Sequence, residues 1–97
     1  MDVEIHPEAE DELNEQAAYY EYEAAGLGVV YLRTFDSTLN LAAESPEIAP
    51  VWRDVYRRFA MRRFPQSLFY FIDDQTVFVV AVAHDRRLPG YWLQRRF

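Results

Sequence analysis

The sequence predicts an α+β domain in which an N-terminal strand and a helical hairpin pack on an antiparallel β-sheet, in the order β-αα-βββ. Apolar residues recur every three to four positions through the first half of the chain, and a period of two replaces this spacing after residue 51. A turn signal at residues 73–75 separates two apolar runs. Because the chain has 97 residues and no internal repeat or low-complexity segment, we expect residues 1–97 to form one domain.

A short strand and a long amphipathic helix are predicted at the N-terminus. Val3 and Ile5 alternate with polar residues, which is typical of a strand with one buried face. Pro7 suits the first turn of a helix, and apolar residues at spacings of three and four continue this helix to about Ala25. The acidic side chains of residues 8–15 fall largely outside the apolar stripe, so we expect them to form a solvent-exposed face.

A second helix is predicted to fold back on the first. Gly26 and Gly28 mark a tight turn of the kind that joins two antiparallel helices. From Leu32 the helical spacing of apolar residues resumes and continues to about Glu44. Ser45-Pro46 ends this helix, because the residue before a proline avoids helical backbone angles.

The second half of the chain predicts three strands. Residues 55–63 alternate in polarity, and apolar runs at 68–72 and 76–83 flank the turn Asp73-Asp74-Gln75. The last run is apolar on both faces, which is typical of a central strand covered by helices on one side and by another part of the chain on the other. An aromatic, arginine-rich tail follows it.

Charge is divided unevenly along the chain. The net charge is −6, yet residues 1–50 hold twelve acids and one arginine, whereas residues 51–97 hold nine arginines and four acids. All ten basic residues are arginines, whose planar guanidinium groups suit phosphates and carboxylates. A nucleic-acid partner therefore stays compatible with the second half, although the acidic total favours a protein target.

Composition excludes several classes of protein. The chain has no cysteine, which removes disulfides, thiol nucleophiles and cysteine-based zinc sites. Its two histidines lie far apart, and neither metal-ligand spacing nor a nucleotide-binding glycine motif occurs, so we expect no metal and no cofactor. The longest apolar run, residues 77–83, is too short to span a membrane, and no signal pattern opens the sequence, which predicts a cytoplasmic protein.

The arginines of the second half are candidates for phosphate or target binding. They lie on the first strand of the predicted hairpins and its approaches, after the last strand, and in the tail: Arg57, Arg58, Arg62, Arg63, Arg86, Arg87, Arg95 and Arg96. Strand pairing is expected to bring the first two groups together, with Tyr91 and Trp92 nearby for stacking. The alternative is that these arginines pair with the acids of the helical hairpin or are solvated.

Four residues are candidates for metal-free RNA cleavage: Arg58, His84, Arg86 and Tyr91. Such cleavage needs a base for the 2′-hydroxyl, cations for the phosphorane charge and an acid for the leaving oxygen. Histidine is the side chain best suited to proton transfer at neutral pH, which makes His84 the candidate for that step. The two arginines would supply charge and Tyr91 a proton. A structural role for His84 at the strand end is the alternative.

Local patterns along almost the whole chain occur in the order known from one protein family. They are the run from Val3 to Leu13, Ala18-Tyr19-Tyr20-Glu21, Gly26-Leu27-Gly28, Ser45-Pro46, Arg57-Arg58-Phe59, Arg62-Arg63-Phe64-Pro65, Leu68-Phe69-Tyr70, the run from Val80 to Pro89, and Tyr91-Trp92. Together they resemble the RelE/ParE superfamily of toxins from type II toxin–antitoxin systems, which includes plasmid stabilisation proteins. The resemblance implies a cytoplasmic growth inhibitor that is neutralised by a cognate antitoxin protein and oligomerises mainly through it.

The resemblance leaves two molecular targets open. RelE-like members are ribosome-dependent mRNA endoribonucleases that work without metal, whereas ParE-like members poison DNA gyrase. Arg58, Arg86 and Tyr91 match basic, arginine and tyrosine positions of the ribonucleases. Ser67 stands where they carry a phosphate-binding arginine and Ala60 where they carry a second basic residue. These departures, with a tail suited to docking on a protein, favour gyrase inhibition; the alternatives are the ribonuclease and a degenerate member that binds antitoxin without toxicity.

Overall fold

The computed structural model describes residues 1–97 and has the predicted α+β architecture, with two helices and five strands. In chain order these are β1 (Asp2–Ile5), α1 (Pro7–Glu23), α2 (Leu27–Glu44), β2 (Val51–Arg53), β3 (Tyr56–Ala60), β4 (Gln66–Asp73) and β5 (Thr76–His84). The N-terminal strand, the helical hairpin and the sheet on which it packs are therefore confirmed.

His6 and Pro7 set the start of α1. His6 is the N-cap residue, and its Nδ1 accepts a hydrogen bond of 3.0 Å from the backbone N–H of Glu8. The other ring nitrogen, Nε2, donates to the backbone carbonyl of Arg96 at 3.0 Å, which ties the start of the helix to the end of the chain. Neither α1 nor α2 is long and apolar enough to cross a membrane.

The two helices approach each other closely at Gly28. α2 begins at Leu27, so the turn is shorter than the sequence predicts, and Gly28 lies in the first turn of the helix. A Cβ at this position would lie 2.7 Å from the backbone oxygen of Ala17, so any larger residue would push the helices apart. The Glu21 carboxylate accepts hydrogen bonds from the backbone N–H groups of Gly26 and Gly28 and thereby caps α2.

The strands form one mixed sheet in the order β1-β5-β4-β3-β2. β2 to β5 are antiparallel, as the sequence predicts, but β1 pairs with β5 in parallel, from Asp2 opposite Thr76 to Ile5 opposite Val79. Because β1 continues into helices rather than into a hairpin, its direction is free of the antiparallel constraint. β1 pairs with β5 only as far as Val79, so the rest of β5, up to His84, has no strand on that side.

The first strand region after the helices differs from its prediction. β2 is an additional strand, and three residues are too few to show the alternation from which a strand can be predicted. A turn at Asp54, whose φ is 52°, leads from β2 into β3. β3 ends at Ala60 rather than at Arg63, because the chain turns there: the φ of Arg63 is 69°, and the Met61 N–H donates to the Gln66 carbonyl at 2.9 Å.

The sheet carries a hydrophobic core on each face. The larger core lies under the helices and includes Tyr31, Phe35, Leu68, Tyr70, Val77, Val79 and Val82. The smaller one, called the outer core below, consists of Phe69, Val80, Ala81, Ala83 and Trp92. The last strand is therefore central and covered on both faces, as its sequence predicts, and its second cover is the C-terminal tail, residues 85–97.

Trp92 fastens the tail to the outer core. Its side chain is fully buried, and its ring centre lies 4.9 Å from those of both Phe69 and Tyr56. A β-bulge at Val80 inserts one residue into β5, so that Val80 and Ala81 both face this core. The tail contains no helix or strand, so it is held by burial and by side-chain contacts.

Trp92→Ala is expected to lower the free energy of unfolding by about 3–5 kcal/mol, because it replaces a fully buried indole with a cavity. Denaturation in urea, followed by circular dichroism, measures the loss. Leu88→Ala is the control, since that side chain is 76% exposed in the same tail, and it should change stability by less than about 0.5 kcal/mol. A Trp92→Ala protein with wild-type stability would contradict the description of the tail as part of the core.

Candidate functional site

A pocket of about 180 Å³ lies where β3, the start of β4 and the end of β5 meet the C-terminal tail. Three of the four predicted catalytic residues, Arg58, His84 and Tyr91, line it together with Arg87. Trp52, Phe69 and Trp92 supply apolar walls, and so do Leu88 and Pro89. We call this the strand-end pocket. Arg86, the fourth predicted residue, is exposed in the turn beside it and does not line it.

Strand register explains how residues distant in sequence reach this pocket. Arg58 on β3 is opposite Phe69 on β4, and Ser67, two residues earlier on β4, is opposite Ala83 on β5. His84 ends β5 and is followed by a turn that carries the remaining polar groups. The expectation that strand pairing joins the arginines of residues 53–63 to the segment after the last strand is therefore met at Arg58.

Asp85 accepts hydrogen bonds from two side chains at the edge of the pocket, those of Arg58 and Ser67. Its Oδ1 accepts hydrogen bonds from the guanidinium Nη2 of Arg58 at 2.9 Å and from the hydroxyl of Ser67 at 2.8 Å. The backbone N–H of Asp85 donates to the Pro65 carbonyl at 2.7 Å, which fixes the turn against the start of β4. The charge of Arg58 is therefore already paired with a carboxylate.

One ring nitrogen of His84 has a partner within its own turn. Nδ1 accepts a hydrogen bond of 3.0 Å from the backbone N–H of Arg86, so in this arrangement the proton lies on Nε2. The half-buried ring borders the strand-end pocket and a second groove beside α1, lined also by Tyr19 and Tyr20. Nε2 is thus the one ring atom of His84 free to exchange a proton with a ligand. No cluster of three or more His, Asp or Glu side chains in the chain could hold a metal ion.

The hydroxyl of Tyr91 is hydrogen-bonded to a carboxylate. Its hydroxyl donates a hydrogen bond to Oε2 of Glu12, and the guanidinium of Arg87 lies 3.9 Å from the centre of its ring. Burial raises the pKa of Tyr91, and the hydrogen bond to Glu12 and the charge of Glu12 raise it further, against the opposing charges of Arg87 and Arg95. The hydroxyl consequently keeps its proton at neutral pH and directs it to Glu12.

Glu12 joins α1, β5 and the tail and is not solvent-exposed as predicted from the sequence. Its carboxylate forms a two-pronged ion pair with Arg95, at 2.9 Å from Nη1 and 3.0 Å from Nη2. It also accepts the backbone N–H of Val82, while Arg95 Nη1 donates to the carbonyl of Val80. The expectation of a solvent-exposed acidic face is wrong for Glu12, whose side chain is only 13% exposed, because the unpaired edge of β5 requires polar partners.

The other predicted binding residues divide into structural and exposed ones. Trp92 is buried in the outer core, the Arg95 side chain is 9% exposed within its ion pairs to Glu8 and Glu12, and Arg57 donates to the Ala49 carbonyl at 2.7 Å. The exposed arginines have no carboxylate partner: Arg62, Arg63, Arg86, Arg87 and Arg96. The alternative of pairing with acids of the helical hairpin thus holds for Arg95 alone.

Two residues that contribute most to the site, Glu12 and Asp85, are not among the site residues predicted from the sequence. A signal for Glu12 exists in the sequence: Glu8, Glu12 and Gln16 are spaced by four and share one helix face. In the structure this face lies along the edge of β5, where Gln16 Nε2 donates to the Val82 carbonyl at 2.9 Å. For Asp85 the sequence offers only a turn position after a strand.

Comparisons with known proteins agree with this architecture. The family model described as the ParE toxin of type II toxin–antitoxin system, parDE, matches residues 3–89. A solved structure, "Chromosomal ParDE TA system from P. aeruginosa", is similar in fold, with a TM-score of 0.63 and 11% sequence identity; the match covers 87% of this chain and 95% of that chain. No curated protein matches the chain in sequence.

Glu12→Gln is expected to lower the free energy of unfolding by about 3 kcal/mol, because it leaves the largely buried Arg95 without its main counter-charge. The amide also places an N–H donor beside donors that need an acceptor. Urea denaturation at pH 7 measures the effect. Glu15→Gln, an exposed position on the same helix, is the matched control and should stay within about 0.5 kcal/mol of wild type. Equal losses in the two variants would contradict the role given to Glu12.

Stability is expected to fall as the pH rises above about 10, the ordinary pKa of tyrosine. Burial raises the pKa of Tyr31, Tyr70 and Tyr91, so the unfolded chain loses these protons before the folded one does, and stability is complete below that pH and declines above it. Urea denaturation at pH 9 and pH 11 measures the decline. Tyr31→Phe should reduce it and Tyr22→Phe, at a side chain 90% exposed, should not; a decline of the same size in both would count against the proposed cause.

Proposed function

Because the chain belongs to the ParE toxin family of type II toxin–antitoxin systems, we propose that it is the growth-inhibiting component of such a module. It acts in the cytoplasm and is neutralised by a cognate antitoxin protein. Its target is DNA gyrase rather than the ribosome, and it poisons this target by binding to it. No cofactor takes part in this action.

One observation carries the choice of a binding poison: the Tyr91 hydroxyl donates its hydrogen bond to Glu12. In the ribonuclease hypothesis this hydroxyl is the acid that protonates the leaving oxygen of the RNA. The raised pKa of Tyr91, caused first by burial and then by Glu12, makes it a poor proton donor to any leaving group. Tyr91 instead stabilises the fold, since its side chain packs between Glu12 and Arg87.

The charges around the strand-end pocket support the same choice. RNA cleavage requires uncommitted positive charge where the phosphorane develops. The Arg58 charge is paired with Asp85, and Ser67, which stands where the ribonucleases carry an arginine, has a neutral hydroxyl bonded to that same carboxylate. Arg87 remains as the one cation of the pocket lining without a carboxylate partner.

The surface beside the pocket suits a protein partner. Arg86 and Arg87 are exposed, Leu88 is 76% exposed next to them, and Phe97 at the end of the tail is 53% exposed. Exposed arginine together with apolar side chains is typical of the centre of a protein interface. We assign the contact with gyrase to the segment Arg86–Leu88 and to the exposed face of the Phe97 ring.

A RelE-like, metal-free mRNA endoribonuclease is the second candidate. The observation in its favour is that Arg58, His84 and Tyr91 line a single pocket with Arg87, with Nε2 of His84 free for proton transfer. In that case Arg86, exposed beside the pocket, would have to contact the substrate. A third candidate, a family member that has kept antitoxin binding and lost toxicity, is separated from both by growth of the induced cells.

Induction of the protein without an antitoxin is expected to arrest DNA replication and to induce the SOS response, while mRNA stays intact. Arg87→Ala should weaken the arrest by about tenfold in the inducer concentration required, since exposed interface arginines commonly contribute more than 1 kcal/mol to binding. Arg33→Ala is the matched control, because Arg33 is exposed on α2, away from the pocket. The readouts are thymidine incorporation, an SOS reporter and primer extension on mRNA.

Two results would contradict this function. Rapid arrest of translation with mRNA cut at ribosome-occupied codons, abolished by Arg86→Ala, would establish the ribonuclease. Wild-type growth of induced cells that contain the soluble, folded protein would establish the member without toxicity.

A further inference from the structure

The contacts of Asp85 have the pattern that a bound anion would have. One carboxylate oxygen receives both a guanidinium hydrogen, from Arg58 Nη2 at 2.9 Å, and a hydroxyl hydrogen, from Ser67 at 2.8 Å. The two donors come from different strands, β3 and β4, and converge on one point. A guanidinium and a hydroxyl aimed at one oxygen are the donors that phosphate and carboxylate ligands use in proteins.

The two donors lie on strands, whereas the acceptor lies in a turn. Ser67 is completely buried within β4, and strand pairing holds the backbone of Arg58 on β3, although the Arg58 side chain is 40% exposed. Asp85 comes after the end of β5, and its side chain is 37% exposed. A rotation of the Asp85 side chain into solvent would leave the buried Ser67 hydroxyl and the neighbouring Arg58 guanidinium without this acceptor.

The surroundings of these donors favour an anion once Asp85 has left. Of the two donors, Arg58 lines the strand-end pocket and Ser67 lies behind Asp85. Arg87 lines the pocket as well, and its guanidinium lies over the ring of Tyr91 and has no carboxylate partner. Asp85 is the only acidic residue among the lining side chains, which include two arginines.

We propose that Arg58 and Ser67 form an oxyanion-binding site and that the carboxylate of Asp85 occupies this site in the free protein. The ligand is a phosphate or carboxylate group, which takes the place of the Asp85 carboxylate and is held also by Arg87. The exchange forms and breaks no covalent bond. Asp85 thereby sets the specificity of the pocket: it weakens the binding of anions in solution and admits only a ligand that competes for both donors.

The proposed anion site rests on the proposed function in one respect: it accounts for a pocket that binds a partner and does not catalyse a reaction. A partner that docks beside Arg87 and offers an acidic group would displace Asp85 as part of its binding. Anion binding by the isolated protein does not depend on which partner this is. The site can therefore be tested without gyrase, ribosomes or a growth assay.

The test is a titration of the full-length, ¹⁵N-labelled protein with inorganic phosphate at constant ionic strength, followed by NMR. Asp85→Asn keeps the shape of the side chain and removes its charge, so the dissociation constant for phosphate is expected to fall at least about tenfold from the wild-type value. The shifts should centre on the backbone amide of Ser67 and the Nε–H of Arg58. Adding Arg58→Ala to Asp85→Asn should abolish this gain.

Asp73→Asn is the matched control for net charge, because Asp73 is exposed at the turn between β4 and β5 and does not line the pocket. It should bind phosphate as the wild type does. Acetate in place of phosphate distinguishes the two ligand sources: tighter binding of acetate would assign the site to carboxylates, and tighter binding of phosphate to phosphates.

The inference is overturned if Asp85→Asn binds neither anion more tightly than Asp73→Asn does, or if the gain survives the loss of Arg58. Should Asp85→Asn lose its near-ultraviolet circular dichroism and thus its fold, Asp85→Ser is the second variant, because its short neutral side chain can still bond to Ser67. The anion titrations use the isolated protein and do not depend on the gyrase or growth assays. Failure of the anion site and failure of the proposed function can therefore be told apart.

Discussion

The carboxylate of Glu12 is the group on which the rest of the structure depends. β1 pairs with β5 only up to Val79, and beyond it the edge of β5 that faces away from β4 has no neighbouring strand. Buried backbone groups without partners are costly, so this edge needs side chains to complete its hydrogen bonds. Glu12 accepts the Val82 N–H and holds Arg95, which donates to the Val80 carbonyl. One helix side chain therefore completes the sheet and at the same time fastens the C-terminal tail.

The position of the C-terminal tail, which Glu12 fixes, determines which side chains cover the outer face of the sheet. With Arg95 held by Glu12, Trp92 enters the outer core and Tyr91 lies against the Glu12 carboxylate. The tail thereby forms one wall of the strand-end pocket. The ion pair of Asp85 with Arg58 borders the pocket on its other side. Within the pocket Arg58 is paired with Asp85, whereas Arg87 has no carboxylate partner. The pairing of Arg58 is one of the observations that support the proposed binding of a protein target.

The sequence predicts the layers of this fold better than its long-range contacts. Spacings of three and four, and alternation with a period of two, report which face of an element is buried, so the helices, the hairpin at residues 73–75 and the double burial of β5 could all be predicted. The direction of β1 and the contact of Glu12 with Arg95 could not, because they depend on the pairing of segments about 80 residues apart, for which a local pattern holds no information. Of the predicted site residues, Arg58, His84, Arg87 and Tyr91 meet in one pocket, of which the buried Trp92 forms an apolar wall, while Arg95 belongs to the interior.

Tyr91→Phe, with stability and growth arrest measured on the same variant, is the most direct test of the proposal that Tyr91 stabilises the fold and does not act on the target. This variant is expected to lose about 1–2 kcal/mol in the free energy of unfolding, since the Glu12 carboxylate loses a hydrogen-bond donor. Its growth arrest should be as strong as that of the wild type, with mRNA intact. Wild-type stability together with a lost growth arrest would contradict this proposal, because the hydroxyl would then act on the target and not on Glu12.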